Sequence, residues 1–480
     1  MAGSRAERIN EPLRRVARCC SAMLFLVLAH ITLVQAFGSR VLNSDRRNER
    51  PLIARFDHPR GDILTYEGTP IATSRPTGAG PYLYRRTYRD GELYAAVTGH
   101  MSLYRSTGIE QARDGVLSGD DPQVKVRSLV RDGVVEGADV RLTIRERVQR
   151  AAYEGLKATG LPGAVVAIDP ATGAVLALAS YPTYDPNALA TLDPARLSET
   201  ARRLVADPSH PLLNRALNRL YPPGSTFKLV TAAAALASGE YTPYALVDAP
   251  ARLRLPGTST FLENAGGGGC GDARPTLTYA FQVSCNTAFA NIGLQLGQDL
   301  LRDQAEAFGF NAPGLSIPLA ADASRYPLGM DRSQTALSAI GHHDSRVTPL
   351  MVAMLSAAVA NDGVLMRPYL VEEVRLPDGS VVDRAGPAVY RRAVSPAVAK
   401  NLVAMMTMAP RARASRGSGV GAPGFSASKV IPGTDDHAVI TAFAPANAPE
   451  VAVGVVLEHP GSRADAVTTI VQDVIEAAME

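Results

Sequence analysis

A serine and a lysine three residues apart, Ser225 and Lys228, stand inside YPPGSTFKLVTAAAAL, residues 221–236. Pro222, Pro223 and Gly224 make a rigid entry, and the run that follows is strongly helical in composition. Residues three apart share a helical face, so the lysine amine comes within reach of the hydroxyl. A serine at the mouth of a helix also gains a nearby backbone N–H and the positive end of the helix dipole, both useful for stabilising an oxyanion. The chemistry is therefore nucleophilic attack by Ser225 on a carbonyl, with Lys228 taking the proton. For that, desolvation or a second cation must lower the ammonium pKa. Alone, Ser-x-x-Lys is a weak signal, because it arises by chance in chains of this length and serine is an ordinary N-cap.

The elements that must hold this pair follow from periodicity and punctuation. GAVVAIDPATGAVLALAS, residues 163–180, is two apolar runs joined by Asp169-Pro170-Ala171-Thr172-Gly173, which reads as a β-hairpin. Helical patterns follow over 225–237, 284–296, 300–308, 349–361 and 396–408. Two apolar strands, 437–444 and 451–459, precede a last helix over 464–478. Strand pairs at both ends with helices between predict one central sheet assembled from the two ends of the domain and covered by helices. Upstream, residues 38 to about 140 carry short alternating runs such as Asp62-Ile63-Leu64-Thr65-Tyr66 and predict an irregular, mostly β pedestal. A helix over 143–157, with Thr143 ahead of Val148, Ala151, Ala152 and Leu156, marks the boundary between the two.

YPPGSTFK followed by Ser284-Cys285-Asn286 resembles the SxxK and SxN motifs of penicillin-binding proteins. Residues 163–180 resemble the hairpin that opens their transpeptidase domain. Asn264-Ala265-Gly266-Gly267 resembles a loop before the second motif, and HAVITAFAPA from His437 resembles the strand after the third. Arg60-Gly61-Asp62-Ile63 resembles the pedestal signature of the class B branch, above all its small actinobacterial members of division and septation. The resemblance implies an α/β fold of the α+β type, a penicillin-binding or serine β-lactamase-like domain with a central antiparallel sheet between helices. It divides the chain into a tail (1–18), a transmembrane anchor (19–37), a dimerisation-like pedestal (38–142) and a transpeptidase domain (143–480). It also implies a D,D-transpeptidase that cross-links peptidoglycan stem peptides through an acyl-enzyme on Ser225 and is acylated by β-lactams. Lys228 would carry the proton, Ser284 would relay it to the leaving amine, and Asn286 would hold the substrate amide. A division protein or glycan polymerase would be the protein partner, and no cofactor is implied.

The third motif of that family, Lys-Thr-Gly and one further residue, is altered here to SASKVIPGTDDHAVITAF. With Lys429 as the motif lysine, Val430 replaces the threonine, Ile431 the glycine, and Pro432 stands where an oxyanion-hole N–H is donated. Valine cannot hydrogen-bond a carboxylate, and proline has no N–H. A shifted register through Ile431-Pro432-Gly433-Thr434 restores a glycine and a donor at Thr434 but displaces the lysine. Lys429, Gly433 and Thr434 are thus the candidate substrate-binding residues of this segment. The alteration opens a second reading, a non-enzymatic septal scaffold that keeps the fold. A hydrolytic carboxypeptidase or β-lactamase is a third, disfavoured by the pedestal and anchor.

The 49 basic and 46 acidic side chains give a formal charge of +3 over 480 residues, which offers nucleic acid no electrostatic footprint. CCSAMLFLVLAHITLVQAF, residues 19–37, carries no charge and follows Arg14, Arg15 and Arg18. It reads as one membrane helix with its N-terminal side in the cytoplasm, or else as a signal peptide cleaved near Val34-Gln35-Ala36. Either way the bulk of the chain is exported. Cys270 and Cys285, both in that part, are permitted a disulfide whose geometry sequence cannot show. His342 and His343 lack a third ligand in the sequence, and Glu263, Asp435 and Asp436 are carboxylates that could line a cleft or simply face solvent.

Overall fold

The computed structural model describes residues 3–33, 35, 53, 55–78, 80–132, 136–264, 267–313, 315–407 and 437–480. The chain divides into two compact units, residues 1–58 with Thr77–Leu83, and Pro59–Pro76 with Tyr84–Glu480. In the first, the helix Gly3–Leu33 contains a 20-residue stretch, Arg14–Leu33, long and apolar enough to cross a membrane. At the helical rise that stretch reaches about 30 Å, the thickness of a hydrocarbon core. The hydroxyl of Thr32 inside it is satisfied by the carbonyl of Leu28 at 2.8 Å.

The second unit carries fourteen described strands: β1 Ile63–Leu64, β2 Pro70–Pro76, β3 Tyr84–Tyr88, β4 Asp139–Leu142, β5 Gly163–Ile168, β6 Val175–Tyr181, β7 Arg252–Arg254, β8 Phe261–Glu263, β9 Val364–Met366, β10 Val371–Arg375, β11 Val381–Arg384, β12 Val389–Arg392, β13 His437–Ala444 and β14 Val451–Glu458. The central sheet runs β13-β14-β5-β6 and is antiparallel throughout. All residues of β13 and β14 are buried, as near-continuous apolar runs require of a covered sheet. The helix Pro349–Ala360 lies so close to the sheet that a Cβ on Gly454 would sit 2.4 Å from the Ala353 nitrogen. Thr441, opposite Gly454, donates its hydroxyl to the Val352 carbonyl at 2.7 Å. Helices Glu146–Thr159 and Ala466–Met479 pack on the sheet and on each other, with Gly155 facing Ile470.

In the β5–β6 hairpin, Asp169 Oδ1 accepts from the Ala171 amide at 2.8 Å, and Gly173 supplies a φ of 85°. The boundary helix does not run from Thr143 to Lys157 but over Glu146–Thr159. It has Arg145 at the N-cap, because Thr143 gives its hydroxyl to the Val175 carbonyl at 2.7 Å instead.

A second sheet has the order β11-β10-β4-β1-β2-β3. Its strands β10 and β11 come from residues 371–384, so a distant segment completes the sheet begun by the pedestal. Four helices, Gly91–Thr98, Gly108–Ala112, Asp114–Ser118 and Pro122–Asp132, lie between β3 and β4. None exceeds 11 residues, too short for a 3.6-residue period to stand out in the sequence. Beneath this sheet Glu110, fully buried, accepts from Arg86 Nε at 2.5 Å and pairs with Arg60 at 3.2 Å. The two guanidiniums hold its carboxyl below the ordinary range against the opposing effect of burial.

Candidate active site

The entry to Ser225 is clamped from below. Tyr221 exchanges backbone hydrogen bonds with Val347 at 2.8 Å in both directions. Its hydroxyl donates to Glu458 Oε1 at 2.8 Å, and the same oxygen accepts from Arg215 Nε at 3.1 Å. Gly224 then turns with φ 52° and donates its N–H to the Gly341 carbonyl at 3.1 Å. A Cβ on Gly341, itself at φ +78°, would lie 2.0 Å from the Gly224 oxygen, so two glycines in positive-φ conformations let the two backbones touch. Ser225 sits in the single 3-10 turn Gly224–Phe227, and the α-helix proper is Lys228–Ser238. The helix therefore begins at the lysine, three residues later than the sequence pattern suggests. Phe227 stacks on Tyr326 with ring centroids 5.2 Å apart and meets Phe310 edge-on at 5.6 Å, which holds the turn in place.

Lys228 is 2% exposed. Its Nζ lies 3.2 Å from Ser225 Oγ, 2.9 Å from Ser284 Oγ, 2.6 Å from the Ser284 carbonyl oxygen and 2.7 Å from Asn286 Oδ1. Burial lowers its pKa to about 7. Two of the four oxygens, the carbonyl and Oδ1, can only accept. In the neutral amine they occupy both N–H groups, which leaves the nitrogen lone pair facing the hydroxyls of Ser225 and Ser284. The arrangement is that of a base aimed at a nucleophile.

The second segment is held by its own contacts. Ser284 has a φ of 57°, between the helix Leu277–Gln282 and the helical segment Asn286–Ala307, which Gly297, at φ 78°, breaks into two helices as the sequence pattern suggests. Its N–H donates to Phe281 O at 3.0 Å and that of Cys285 to Ala280 O at 2.8 Å. Cys285, and not Ser284, occupies the N-cap position of the segment Asn286–Ala307. Ser284 is in the left-handed region, which points its hydroxyl at Lys228. Cys285 is disulfide-bonded to Cys270. Asn286 Nδ2 donates to the Glu263 carbonyl at 3.1 Å, and Asn264 Oδ1 accepts from the Thr287 amide at 3.0 Å.

The structure thus brings Ser225, Lys228, Ser284 and Asn286 together around one nitrogen. Lys429, Val430, Ile431, Pro432, Gly433, Thr434, Asp435 and Asp436 lie outside the described residues. Glu263 contributes its backbone carbonyl, while its exposed carboxylate pairs with Arg252 at 3.5 Å. His342 is buried, and burial, with the Lys228 charge second, lowers its pKa to about 4, so it is neutral wherever Lys228 titrates. Among the described residues no group of three or more His, Cys, Asp or Glu side chains comes together to hold a metal ion. Sequence reasoning missed the Gly224–Gly341 contact and the Arg215–Glu458–Tyr221 clamp. Only the glycine before His342 signalled the first, and nothing local signalled the second.

The family model for the penicillin binding protein transpeptidase domain matches residues 163–476, and that for the penicillin binding protein A dimerisation domain matches residues 60–140. The chain is 42% identical over 475 residues to the peptidoglycan D,D-transpeptidase PbpA of Mycolicibacterium smegmatis, covering 95% of this chain and 96% of that one. It is 39% identical to PbpA of Mycobacterium tuberculosis, covering 98% of this chain and 99% of that one. A solved structure of penicillin-binding protein A from M. tuberculosis, a ceftriaxone acyl-enzyme complex, superposes with a TM-score of 0.85 at 38% identity. That match covers 89% of this chain and all of the other. Penicillin-binding protein 2 of Pseudomonas aeruginosa, at 26% identity, gives a TM-score of 0.72 over 88% of this chain and 95% of that one.

Proposed function

This chain belongs to the penicillin-binding protein transpeptidase family, and we propose that it is a serine D,D-transpeptidase of peptidoglycan whose nucleophile is Ser225. One observation carries the reading: the buried Lys228 Nζ lies within 3.2 Å of Ser225 Oγ and 2.9 Å of Ser284 Oγ. Ser225 Oγ attacks the penultimate D-alanine carbonyl of a stem peptide as its proton passes to the Lys228 lone pair. The tetrahedral intermediate collapses to an ester on Ser225, and the proton travels from Lys228 through Ser284 Oγ to the departing D-alanine nitrogen. The amine of a neighbouring stem then attacks the ester, its proton returning along the same path, and Ser225 is released. Asn286 keeps one Nδ2 hydrogen and one Oδ1 lone pair beyond those used by Glu263 and Lys228, enough to hold the substrate amide. A β-lactam follows the same first step, its ring C–N bond breaking in place of the peptide bond.

Lys429 with Gly433 and Thr434 is the segment assigned to the substrate carboxylate. The arginines Arg14, Arg15 and Arg18 ahead of the apolar run support reading the stretch Arg14–Leu33 as a single plasma-membrane anchor, with its N-terminal side in the cytoplasm and the catalytic unit outside. Its protein partner there is a division protein or a glycan polymerase, the latter supplying the nascent strands. Intact-mass analysis of the full-length protein after incubation with a fluorescent penicillin tests the reading. One adduct, mapped to Ser225 and lost in Ser225→Ala, is expected; a folded protein that takes up no label overturns it.

The run Val430, Ile431, Pro432 favours a second reading, a septal scaffold with little or no turnover. Losing one oxyanion donor costs about 10²–10³ in rate. The two readings part on complementation, since the scaffold predicts that Ser225→Ala rescues a deletion strain and the transpeptidase predicts that it does not.

A further inference from the structure

The pedestal-side sheet ends on β3, whose outer edge no described strand covers. The Arg89 N–H donates to Ile71 O at 3.0 Å, and β2 and β3 pair residue for residue from Ala72–Tyr88 to Pro76–Tyr84. In an antiparallel pair the bonded positions alternate. The odd residues of β3 therefore bond β2, while Tyr84, Arg86 and Tyr88 turn their N–H and C=O outward. At Tyr88 both outward groups are taken by one side chain, since Asn187 Oδ1 accepts the N–H at 2.9 Å and Asn187 Nδ2 donates to the C=O at 2.8 Å. The amide of Asn187 thus does what a residue of a further strand would do.

One register step away, at Arg86, the outward pair meets no protein partner among the described residues and opens into a cleft of about 600 Å³. The far wall is the helix Pro194–Ala206, which contributes Arg196, Glu199 and Arg203. Arg85 lines the near wall, on the face of β3 opposite the buried Arg86 side chain. Three exposed arginines against one glutamate leave a surplus of two positive charges, and among the described residues none of the four is in an ion pair. Arg86 is not counted, because its charge is matched by Glu110.

We propose that this cleft is a strand-addition site for an extended, acidic segment of a partner protein. Backbone groups spaced one pleat apart are matched by another extended backbone, and the pattern of side chains then selects the sequence. The incoming strand pairs with Arg86 and Tyr84 and stops at Asn187. Its carboxylates fall at alternate positions, where Arg85, Arg196 and Arg203 meet them. The site is independent of the Ser225 chemistry and lies on different elements.

The test uses full-length protein in detergent and a fluorescent peptide of seven residues alternating glutamate with threonine or valine. Binding by anisotropy is expected, weakening with salt, together with slowed hydrogen exchange at the Arg86 and Tyr84 amides. The same peptide N-methylated at alternate residues keeps its charge but cannot pair on that edge, so it should not bind. Arg85→Glu with Arg203→Glu should weaken the acidic peptide about tenfold or more and leave penicillin labelling of Ser225 unchanged. Equal binding of the N-methylated peptide, or binding without protection of the two amides, overturns strand addition and leaves the arginines as guards of an open edge. Protection that rises with protein concentration in the absence of peptide assigns the cleft to a second copy of the chain and likewise overturns the proposal.

Discussion

Consider acylation of Ser225 followed as a function of pH. A lysine at its ordinary pKa of 10.5 would be neutral in only about three molecules in ten thousand at pH 7. Burial brings Lys228 to about 7, so about half the molecules then carry the lone pair that the mechanism needs, a gain of about 10³ in competent base. The sign follows directly: the amine is the active form, so the rate must rise with pH and not fall. The second-order rate constant for a fluorescent penicillin, measured on the full-length protein from pH 5.5 to 9, should climb about tenfold per unit below pH 7 and level off above it. His342 contributes no inflection in that range, because its pKa is already lowered to about 4. Lys228→Met should remove the pH dependence and cost about 10²–10⁴ in rate. A profile that is flat from pH 5.5 to 8, or one still climbing at pH 9, refutes the assignment of Lys228 as the base.

Gly341→Ala places a methyl 2.0 Å from the Gly224 oxygen at a positive φ, so the nucleophile turn must move. Labelling should fall at least tenfold while circular dichroism stays that of the folded chain, and unchanged labelling would show that the turn adapts. Breaking the Cys270–Cys285 bridge, which closes a loop with a sequence separation of 15, should cost about 3 kcal/mol in a thermal or denaturant melt. It should also slow acylation at temperatures where the fold survives, since Cys285 stands between Ser284 and Asn286. Equal labelling with and without reductant counts against that coupling. Glu458→Ala leaves the buried Arg215 guanidinium without its carboxylate and should destabilise by about 3–5 kcal/mol, with Glu458→Gln losing less because it keeps an acceptor for Tyr221.

Much of the site was legible because its central pair is local. Ser225 and Lys228 are bound by the geometry of a single helical turn, so composition and spacing suffice to bring them together. Ser284 and Asn286 were legible as a motif, although the conformation that makes Ser284 useful was not. A serine before a helix reads as a cap, and only the bonds from Ser284 and Cys285 back to Phe281 and Ala280 show that the cap position belongs to the next residue. The β5–β6 hairpin was legible for the same reason as the first pair, since Asp169 and Gly173 carry its turn in their own chemistry.

What sequence could not show were pairings set by packing across long separations. Arg215 and Glu458 lie 243 residues apart, and each by itself is an ordinary charged side chain. Their value is that Arg215 is buried, and a buried guanidinium requires a carboxylate; the same carboxylate then fixes the Tyr221 hydroxyl four residues before Ser225. Strands β10 and β11 pose the same problem on the scale of a sheet. The runs VEEVR and VVDR show no clean alternation, and the choice of β4 as neighbour is written only in the register Val374–Val140 and in Glu373 meeting Arg141 at 3.1 Å. Glu373 is almost fully buried and also gathers Arg375 and Arg384. Removing its carboxylate would leave three guanidiniums crowded at the junction of two segments that sequence alone assigns to different domains. The joint between these two segments of one sheet is thus held by one acid, just as the turn ahead of Ser225 is held by Glu458.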